Sequence, residues 1–247
     1  MFSFSEKILI KETNITLKTE SKRYIKLAKK TILRERINLE NYILKHPEFL
    51  TSYVPVRVSG DAPKIVKIMA RAGENADVGP MASVAGTISQ MVVENAIKYG
   101  CKNIISENGG DISLRTGIDI IVGMYAGTSP LSGQIGFKIK KEKTSKGYGI
   151  CTSSGTVGHS VSLGNADAVV VFADESSIAD AAATSIGNFA TGTPDEAINK
   201  CLEKAEDIDY LDGVFVVVGE YAGKIGKIPQ LVKTDKKTTL GEFFDMI

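Results

Sequence analysis

The sequence has no tryptophan, two histidines and three cysteines among its 247 residues. Cys101, Cys151 and Cys201 lie far apart and are odd in number, so they fit neither a disulfide framework nor a zinc cluster. We expect each of them to be a small buried hydrophobic residue. The small disulfide-stabilised domain and the cysteine-based zinc module are therefore excluded as structural classes.

The chain also lacks an excess of charge of either sign, since 30 Lys and Arg residues face 29 Asp and Glu residues. A nucleic-acid-binding surface and a polybasic membrane surface are therefore not expected. The basic residues cluster at Lys22 to Arg36 and at Lys233 to Lys237, where a solvated helix face and an exposed tail are predicted. No apolar run approaches the ~20 residues of a transmembrane helix, and residues 1–12 lack the order of a signal peptide. These absences predict a cytoplasmic protein with neither nucleic-acid nor membrane partners.

The length allows one substantial core, and no linker is long or biased enough to divide the chain. We therefore predict a single domain over residues 1–247. Helical periodicity marks Lys22 to Lys45 and the segments after Pro63 and Val84, and Thr193 to Glu196 has the residues that start a further helix. Runs rich in β-forming residues, such as Val214 to Val218, occur between helices. Because helices are mixed with hairpins, we predict an α+β fold with a mixed, largely antiparallel sheet flanked by helices.

The stretch from Gly149 to Asn188 combines three features in series. Cys151 to Asn165 is rich in Gly, Ser and Thr, which offer hydroxyl and backbone N–H donors to an anion. Ala168 to Ala173 is an apolar run that predicts a strand buried on both faces. Ser177 to Asp180 has the pattern of a capping box at the start of an alanine-rich helix. A loop, a core strand and a helix N-terminus in this order are typical of phosphate and metal sites.

Asp180 and Thr184 stand one turn apart on the same face of that predicted helix. Both side chains offer oxygen to a magnesium ion, a hard cation that takes a few protein oxygens and completes its shell with water and phosphate. Alternatively, Asp180 caps the helix and Thr184 hydrogen-bonds back along it. From these residues alone, capping is the more common role.

A second segment, around Gly79, joins two predicted helices. Gly79 and Pro80 end the first helix, and the small residues of 82–86 leave room for another backbone or a ligand. A binding role that includes Gly79, Met81 and Ala82 is open, and so is close packing of helices.

A third segment, Glu107 to Asp111, follows a short predicted strand. Ligands collect at strand ends in α/β layers, and paired glycines permit positive φ and close backbone approach. The side chains of Asn108 and Asp111 can accept from a ribose hydroxyl or coordinate a cation. An Asn-Gly turn between two hairpin strands explains the same residues equally well.

Together these motifs resemble the ApbE-like superfamily, whose founding activity is the magnesium-dependent transfer of FMN from FAD onto a Ser or Thr of an acceptor protein. The resemblance runs from the first helix to about Ala190 and is greatest for an uncharacterised branch with VGPMASVAG and ENGGDI stretches. Asn108 to Asp111 is similar to the family's GGD turn. Ala179 to Thr184, ADAAAT, is similar to the helix start whose Asp and Thr bind magnesium.

The resemblance implies a magnesium ion at Asp180 and Thr184, with FAD or FMN as substrate or ligand. The cofactor-binding residues that it implies are Gly79, Met81, Ala82, Asn108, Gly109, Gly110, Asp111, Ser153, Ser154, Gly155 and Thr156. His159 is the candidate general base, because histidine titrates near neutral pH, and a hydrogen-bonded loop histidine is the alternative.

Two departures from the family pattern keep the activity open. Ala82 to Val84 replaces the segment that usually contains Ala-Lys-Gly, and His159 to Gly164 only loosely matches a His-x-x-Asp-Pro-x-Thr-Gly segment. One hypothesis is an enzyme with magnesium-dependent phosphoanhydride chemistry, of the FMN transferase or FAD pyrophosphatase type. The other is a non-catalytic flavin or nucleotide carrier with the same fold. A protein acceptor would belong to the enzyme, and a homo-oligomer is compatible with both.

Overall fold

The computed structural model describes residues 2–154 and 164–235. The α-helices in these ranges are α1 Lys22–Lys45, α2 Glu48–Thr51, α3 Lys64–Ala76, α4 Val84–Lys98, α5 Ser176–Gly187 and α6 Pro194–Glu206. The β-strands are β1 Phe4–Ile10, β2 Thr13–Thr19, β3 Ile104–Asn108, β4 Asp111–Arg115, β5 Ile120–Gly123, β6 Ile135–Ile139, β7 Tyr148–Ser153, β8 Ala168–Ala173, β9 Leu211–Val218, β10 Tyr221–Gly226 and β11 Gln230–Lys233. Short 3₁₀ turns occupy Pro80–Ser83 and Lys141–Thr144.

Two antiparallel sheets form the framework. The larger has eight strands in the order β1-β2-β3-β4-β7-β8-β9-β10, and the smaller has the order β11-β6-β5. Within the described ranges, every pairing between these named strands is antiparallel. The predicted α+β class, with a largely antiparallel sheet flanked by helices, is therefore confirmed.

The core lies on both faces of the large sheet. On one face, Val169 and Val171 of β8 pack with Ile178 and other residues of α5. On the other face, Val170 and Phe172 pack with residues of the small sheet. Because both faces are covered, all six residues of β8 are buried, as the apolar run predicts.

Several local predictions are confirmed. α1 spans Lys22–Lys45 and is capped by the hydroxyl of Ser21, which accepts from the Arg23 N–H. Thr193 and Glu196 form a capping box at the start of α6. All three cysteines are buried. Within the described ranges, none of the helices combines the length and hydropathy that crossing a bilayer requires.

Two local predictions in the Gly149 to Asn188 stretch are wrong. The polar loop does not begin at Cys151, because Cys151 to Ser153 pair with β8 as the end of β7. The capping box over Ser177 to Asp180 does not form, because α5 begins at Ser176 and its N-cap residue, Glu175, makes no side-chain cap hydrogen bond. The groups that stabilise this helix start come from a distant part of the chain.

Candidate functional site

The α4 N-terminus meets α5 at Asp180. The Gly86 N–H donates to Asp180 Oδ2 at 2.8 Å, and the Ala85 N–H also bonds to this carboxylate. Both N–H groups lie in the first turn of α4, where backbone donors have no partner within their own helix and favour a negative charge. Asp180 therefore acts as an acceptor for α4 and does not cap α5.

Gly86 allows this close approach because it has no side chain. A Cβ at this position would lie 2.7 Å from the Asp180 Cβ and would overlap the Ser176 carbonyl oxygen. The small residues of 82–86 thus serve close helix packing, which was one of the two interpretations open from the sequence. This packing also places Asp180 against the helix end.

Gln90, which the sequence did not single out, stabilises the start of α5. Its Oε1 accepts from the Ser177 N–H at 3.0 Å. Its Nε2 donates to Glu94 at 2.9 Å and to Glu175 at 3.2 Å. Gln90 lies one turn after Gly86, on the same face of α4. This helical spacing is the feature of the sequence that could have identified Gln90 as a residue facing α5.

The double glycine forms the turn of the β3–β4 hairpin. Gly109 and Gly110 have φ values of +68° and +104°, and Asn108 pairs with Asp111 across the turn. Such φ values are accessible to glycine at little cost. The hairpin interpretation is therefore confirmed, and ligand contact at this turn stays a prediction.

Hydrogen bonds hold this hairpin turn against α4. The Asn108 Nδ2 donates to the Ala85 carbonyl at 3.4 Å, and Asn108 Oδ1 accepts from the Asn14 N–H at 3.4 Å. The Ser89 hydroxyl donates to the Asp111 carbonyl at 3.1 Å. The fold thus brings together the predicted residues of the ENGGD segment and Asp180, which are far apart in sequence.

Asp111 and Asp180 form a desolvated pair of carboxyl groups. Burial raises the pKa of Asp180 to about 7. Hydrogen bonds from the α4 N–H groups act in the opposite direction and lower this pKa, but burial has the larger effect. Burial raises the pKa of Asp111 well above its usual range, and the charge of Asp180 raises it further, while the Cys151 thiol and the Thr152 N–H lower it. Two carboxylates in such a site favour a shared proton or a bound cation between them.

The Cys151 thiol lies beside these carboxyl groups. It is fully buried and donates to the Ser176 carbonyl at 3.3 Å. Burial, and then the charges of Asp111 and Asp180, raise the pKa of this thiol well above its usual value. The thiol therefore stays protonated and is a packing residue, not a nucleophile.

The other predicted residues of the glycine-proline turn lie near this pair of helices. The Gly79 N–H donates to the Tyr53 carbonyl at 2.9 Å. Met81 and Ala82 are half-buried in the 3₁₀ turn that leads into α4. Thr184 is half-buried on α5, one turn after Asp180. The structure therefore groups the Gly79 turn, the ENGGD hairpin and α5 around the α4 N-terminus.

The predicted anion-binding loop is described only at its start. Ser153 ends β7, and its buried hydroxyl has no hydrogen-bond partner among the described residues. Ser154 follows directly after the strand. Gly155, Thr156 and His159 lie outside the described residues. Their proposed roles therefore stay predictions from the sequence.

Among the residues that the structure describes, no three His, Cys, Asp or Glu side chains form a metal-binding group. A hard cation at Asp180 would rely on Thr184, water and ligand phosphate for its remaining oxygens, as magnesium commonly does. A polar cavity of about 310 Å³ lies nearby at the start of α5, lined in part by Gln90, Lys143 and Glu175. None of the predicted site residues within the described ranges lines this cavity.

Comparisons with known proteins place the chain in a family. Residues 5–219 match the family described as AbpE bacteria. A "UPF0280 protein" of Methanococcus aeolicus is 71% identical over 245 residues, which cover 98% of this chain and 99% of that protein. Another UPF0280 protein, from Methanocaldococcus jannaschii, is 59% identical over 244 residues, which cover 98% of this chain and 99% of the relative.

A solved structure shares the fold at low sequence identity. The apo form of Pseudomonas stutzeri flavinyl transferase ApbE matches with a TM-score of 0.53 and 12% identity, covering 99% of both chains. At this identity the match establishes the fold alone. Since the family match spans most of the sequence, the chain belongs to the AbpE bacteria family and has the ApbE-like fold that its motifs predict.

Proposed function

We propose that this protein binds FAD, FMN or a related nucleotide and promotes magnesium-dependent attack on a phosphoanhydride, as an FMN transferase or an FAD pyrophosphatase. The observation that carries the proposal is the desolvated pair of Asp111 and Asp180 at the α4 N-terminus, beside the glycine turn. A divalent cation would offset the repulsion between these two carboxylates. Membership of the family and the fold shared with a flavinyl transferase support the same chemistry.

Asp180 and Thr184 are the proposed magnesium ligands. Asp180 fits this role because each carboxylate oxygen has two lone pairs, so the bonds from Gly86 and Ala85 leave acceptor capacity. Thr184 adds a hydroxyl oxygen one turn along α5. When bound, magnesium would neutralise charge that develops on the phosphate oxygens.

The other proposed roles belong to groups of this chain. Gly109 and Gly110 leave the backbone free of side chains beside a ligand. No atom of the described residues lies within 4 Å of a Cβ built at Gly109. Asn108 is held by α4 and orients its amide there. The remaining proposed ligand contacts are Gly79, Met81, Ala82, Ser153, Ser154, Gly155 and Thr156, with His159 as the proposed general base.

The second candidate function is a non-catalytic flavin or nucleotide carrier. It is favoured by Ala82 to Val84, which has no lysine where the family's Ala-Lys-Gly segment would lie. A hydroxyl-bearing protein acceptor belongs to the first proposal alone, whereas the proposed cytoplasmic location fits both.

The test is FAD binding by isothermal titration calorimetry with and without magnesium, together with an assay for released AMP. We expect Asp180→Ala to abolish the magnesium-dependent part of the affinity while the circular dichroism spectrum stays that of the parent protein. Thr184→Val should weaken the same part. The matched control is Asp174→Ala, which removes a carboxylate that pairs with Lys143 just before α5.

Two results would count against the magnesium site. In the first, Asp180→Ala loses about 1 kcal/mol of stability yet binds FAD with the same magnesium dependence as the parent protein. In the second, Asp174→Ala loses the dependence to the same extent. Binding without any released AMP would favour the carrier.

A further inference from the structure

One edge of the large sheet and its neighbouring helix expose large aliphatic side chains. β1 is the edge strand, and its Leu9 is 71% exposed. On α1, Leu33, Ile37 and Leu44 are 51%, 47% and 80% exposed. The spacing of four and seven residues places these three side chains on one stripe of the helix. An apolar stripe beside an edge strand is typical of an interaction surface.

Among the described residues, no strand pairs with the outer edge of β1. Only Lys11 and Glu12 join β1 to β2, so Ile10 and Thr13 form the closing pair of the hairpin. Hydrogen-bonded pairs alternate from that point along an antiparallel ladder. The N–H and C=O groups of Lys7 and Leu9 therefore point away from β2 and are available to another strand.

α1 runs alongside β1 in the same direction. Lys22 lies over the Phe4 ring, and Lys29 pairs with Glu6. Further along, Glu40 pairs with Lys11 at 2.5 Å. An open groove between the strand and the helix is lined by Lys7 to Ile10 and by Lys29, Lys30 and Leu33. The apolar stripe of Leu33, Ile37 and Leu44 therefore lies on the side of α1 that faces the outer edge of β1.

We propose that a second copy of this chain occupies this surface, with the two β1 strands pairing antiparallel about a twofold axis. The large sheet would then continue from one protomer into the other. α1 packs over both β1 and β2 through a shared hydrophobic cluster. With strands about 4.8 Å apart, the two α1 axes would lie about 10 Å apart across the axis. That is an ordinary distance for packed helices.

The charges and apolar groups of α1 are complementary in this arrangement. Leu33 lies at the middle of α1, so it meets the partner's Leu33 when the helices run antiparallel. Lys26, seven residues before Leu33, then faces the partner's Glu40, seven residues after it. Ile37 is covered by the stems of the partner's Lys29 and Lys30. The apolar and charged side chains of α1 are thus complementary to those of an antiparallel copy of the same helix, as an isologous interface requires.

The strand register follows from the same symmetry. A twofold axis perpendicular to the sheet pairs residues whose side chains point to the same face. The axis therefore lies midway between one residue of β1 and the copy of that residue in the partner. An axis at Lys7 would set two lysines against each other. An axis at Ile8 pairs each Lys7 with the partner's Leu9, and both of these residues have outward backbone groups. We therefore assign the axis to Ile8.

Sedimentation equilibrium of the full chain tests the proposal. We expect a species of twice the 26.5 kDa chain mass. Leu33→Glu should convert it to a monomer, because each substitution puts a carboxylate at the centre of the apolar contact. Leu9→Pro should do the same without touching α1, since proline removes an outward donor that edge strands can spare. The matched control, Tyr221→Glu on the opposite edge strand β10, should remain dimeric.

Two outcomes would overturn the assignment. One is a parent protein that stays monomeric at all concentrations, including a monomer that cosediments with anionic phosphatidylserine vesicles, which would give the surface to a lipid. The other is a dimer that persists in both folded variants, Leu33→Glu and Leu9→Pro. If either variant fails to fold, as judged by circular dichroism, the other decides the result alone.

Discussion

Asp180 shows how burial and hydrogen bonding oppose each other at one residue. Its carboxylate accepts from two backbone N–H groups of α4, yet burial still raises its pKa from 3.8 to about 7. The folded protein without metal therefore binds a proton that the unfolded chain releases at lower pH. Magnesium and this proton would compete for the same carboxylate oxygens.

A pH dependence of stability follows. The contribution of Asp180 to stability is fully present below pH 3.8 and is lost as pH rises through about 7, because a raised carboxyl pKa means that the folded state holds more protons. We expect the unfolding free energy of the parent protein, measured by urea titration in EDTA, to fall relative to that of Asp180→Asn between pH 4 and pH 7. The difference should reach at most about 4 kcal/mol.

The amide of Asp180→Asn is the matched control, because it keeps an acceptor for the Gly86 N–H but has no proton to lose. If the unfolding free energies of the two proteins ran parallel between pH 4 and pH 7, Asp180 would be ionised throughout that range. Magnesium added at pH 8 should raise the stability of the parent protein and leave that of Asp180→Asn unchanged.

Among the elements, the contact between α4 and α5 depends on the absence of a side chain at Gly86. A Cβ there would meet Asp180 and Ser176, so Gly86→Ala must push the two helices apart. We expect a loss of about 1–3 kcal/mol in urea unfolding, in spite of alanine's better helix propensity. Gly60→Ala is the control, because its added Cβ has no atom of the described residues within 4 Å. Equal stabilities of the two variants would contradict the proposed packing.

The start of α5 depends on a side chain from another helix. Gln90→Ala leaves the buried Ser177 N–H without its partner, so we expect a loss of about 1–2 kcal/mol. Hydrogen exchange should locate the effect, with faster exchange at the Ser177 amide. The exposed residue Gln230 provides the control, since Gln230→Ala should change neither quantity. Unchanged protection at Ser177 would show that Gln90 does not cap the helix.

For the whole molecule, the proposed function predicts slow, magnesium-dependent cleavage of FAD and weak or no FMN transfer to a threonine peptide. The proposed clamp on the pyrophosphate rests on the pair of Asp111 and Asp180. The family's lysine is absent, and the base is assigned to His159 from the sequence alone. His159→Ala should lower the rate of AMP release by roughly 10²-fold or more. His46→Ala, on the other histidine, is the control.

Two results would change this view of the chemistry. Equal cleavage rates in His159→Ala and in the parent protein would remove His159 as the base. Fast FMN transfer to the threonine peptide would show that the missing lysine is not required in this branch of the family.

The sequence by itself determined the local structure. Periodicity and caps gave the bounds of α1 and the start of α6, and an apolar run identified β8. These features depend on neighbours within a few residues, so the pattern contains the information needed to predict them. The motifs also pointed to the family, which the match over residues 5–219 confirms.

Only the tertiary structure decided what Asp180 and Ser177 do. Both fit a capping box by sequence, but their hydrogen-bond partners are Gly86 and Gln90, about ninety residues earlier in the chain. A local pattern cannot distinguish an acceptor that serves its own helix from one that serves a distant helix, because the side chain is the same. Packing determines which helix Asp180 serves. Because Gly86 has no Cβ, α4 approaches α5 closely enough to donate to Asp180. Burial then couples the charge of Asp180 to that of Asp111.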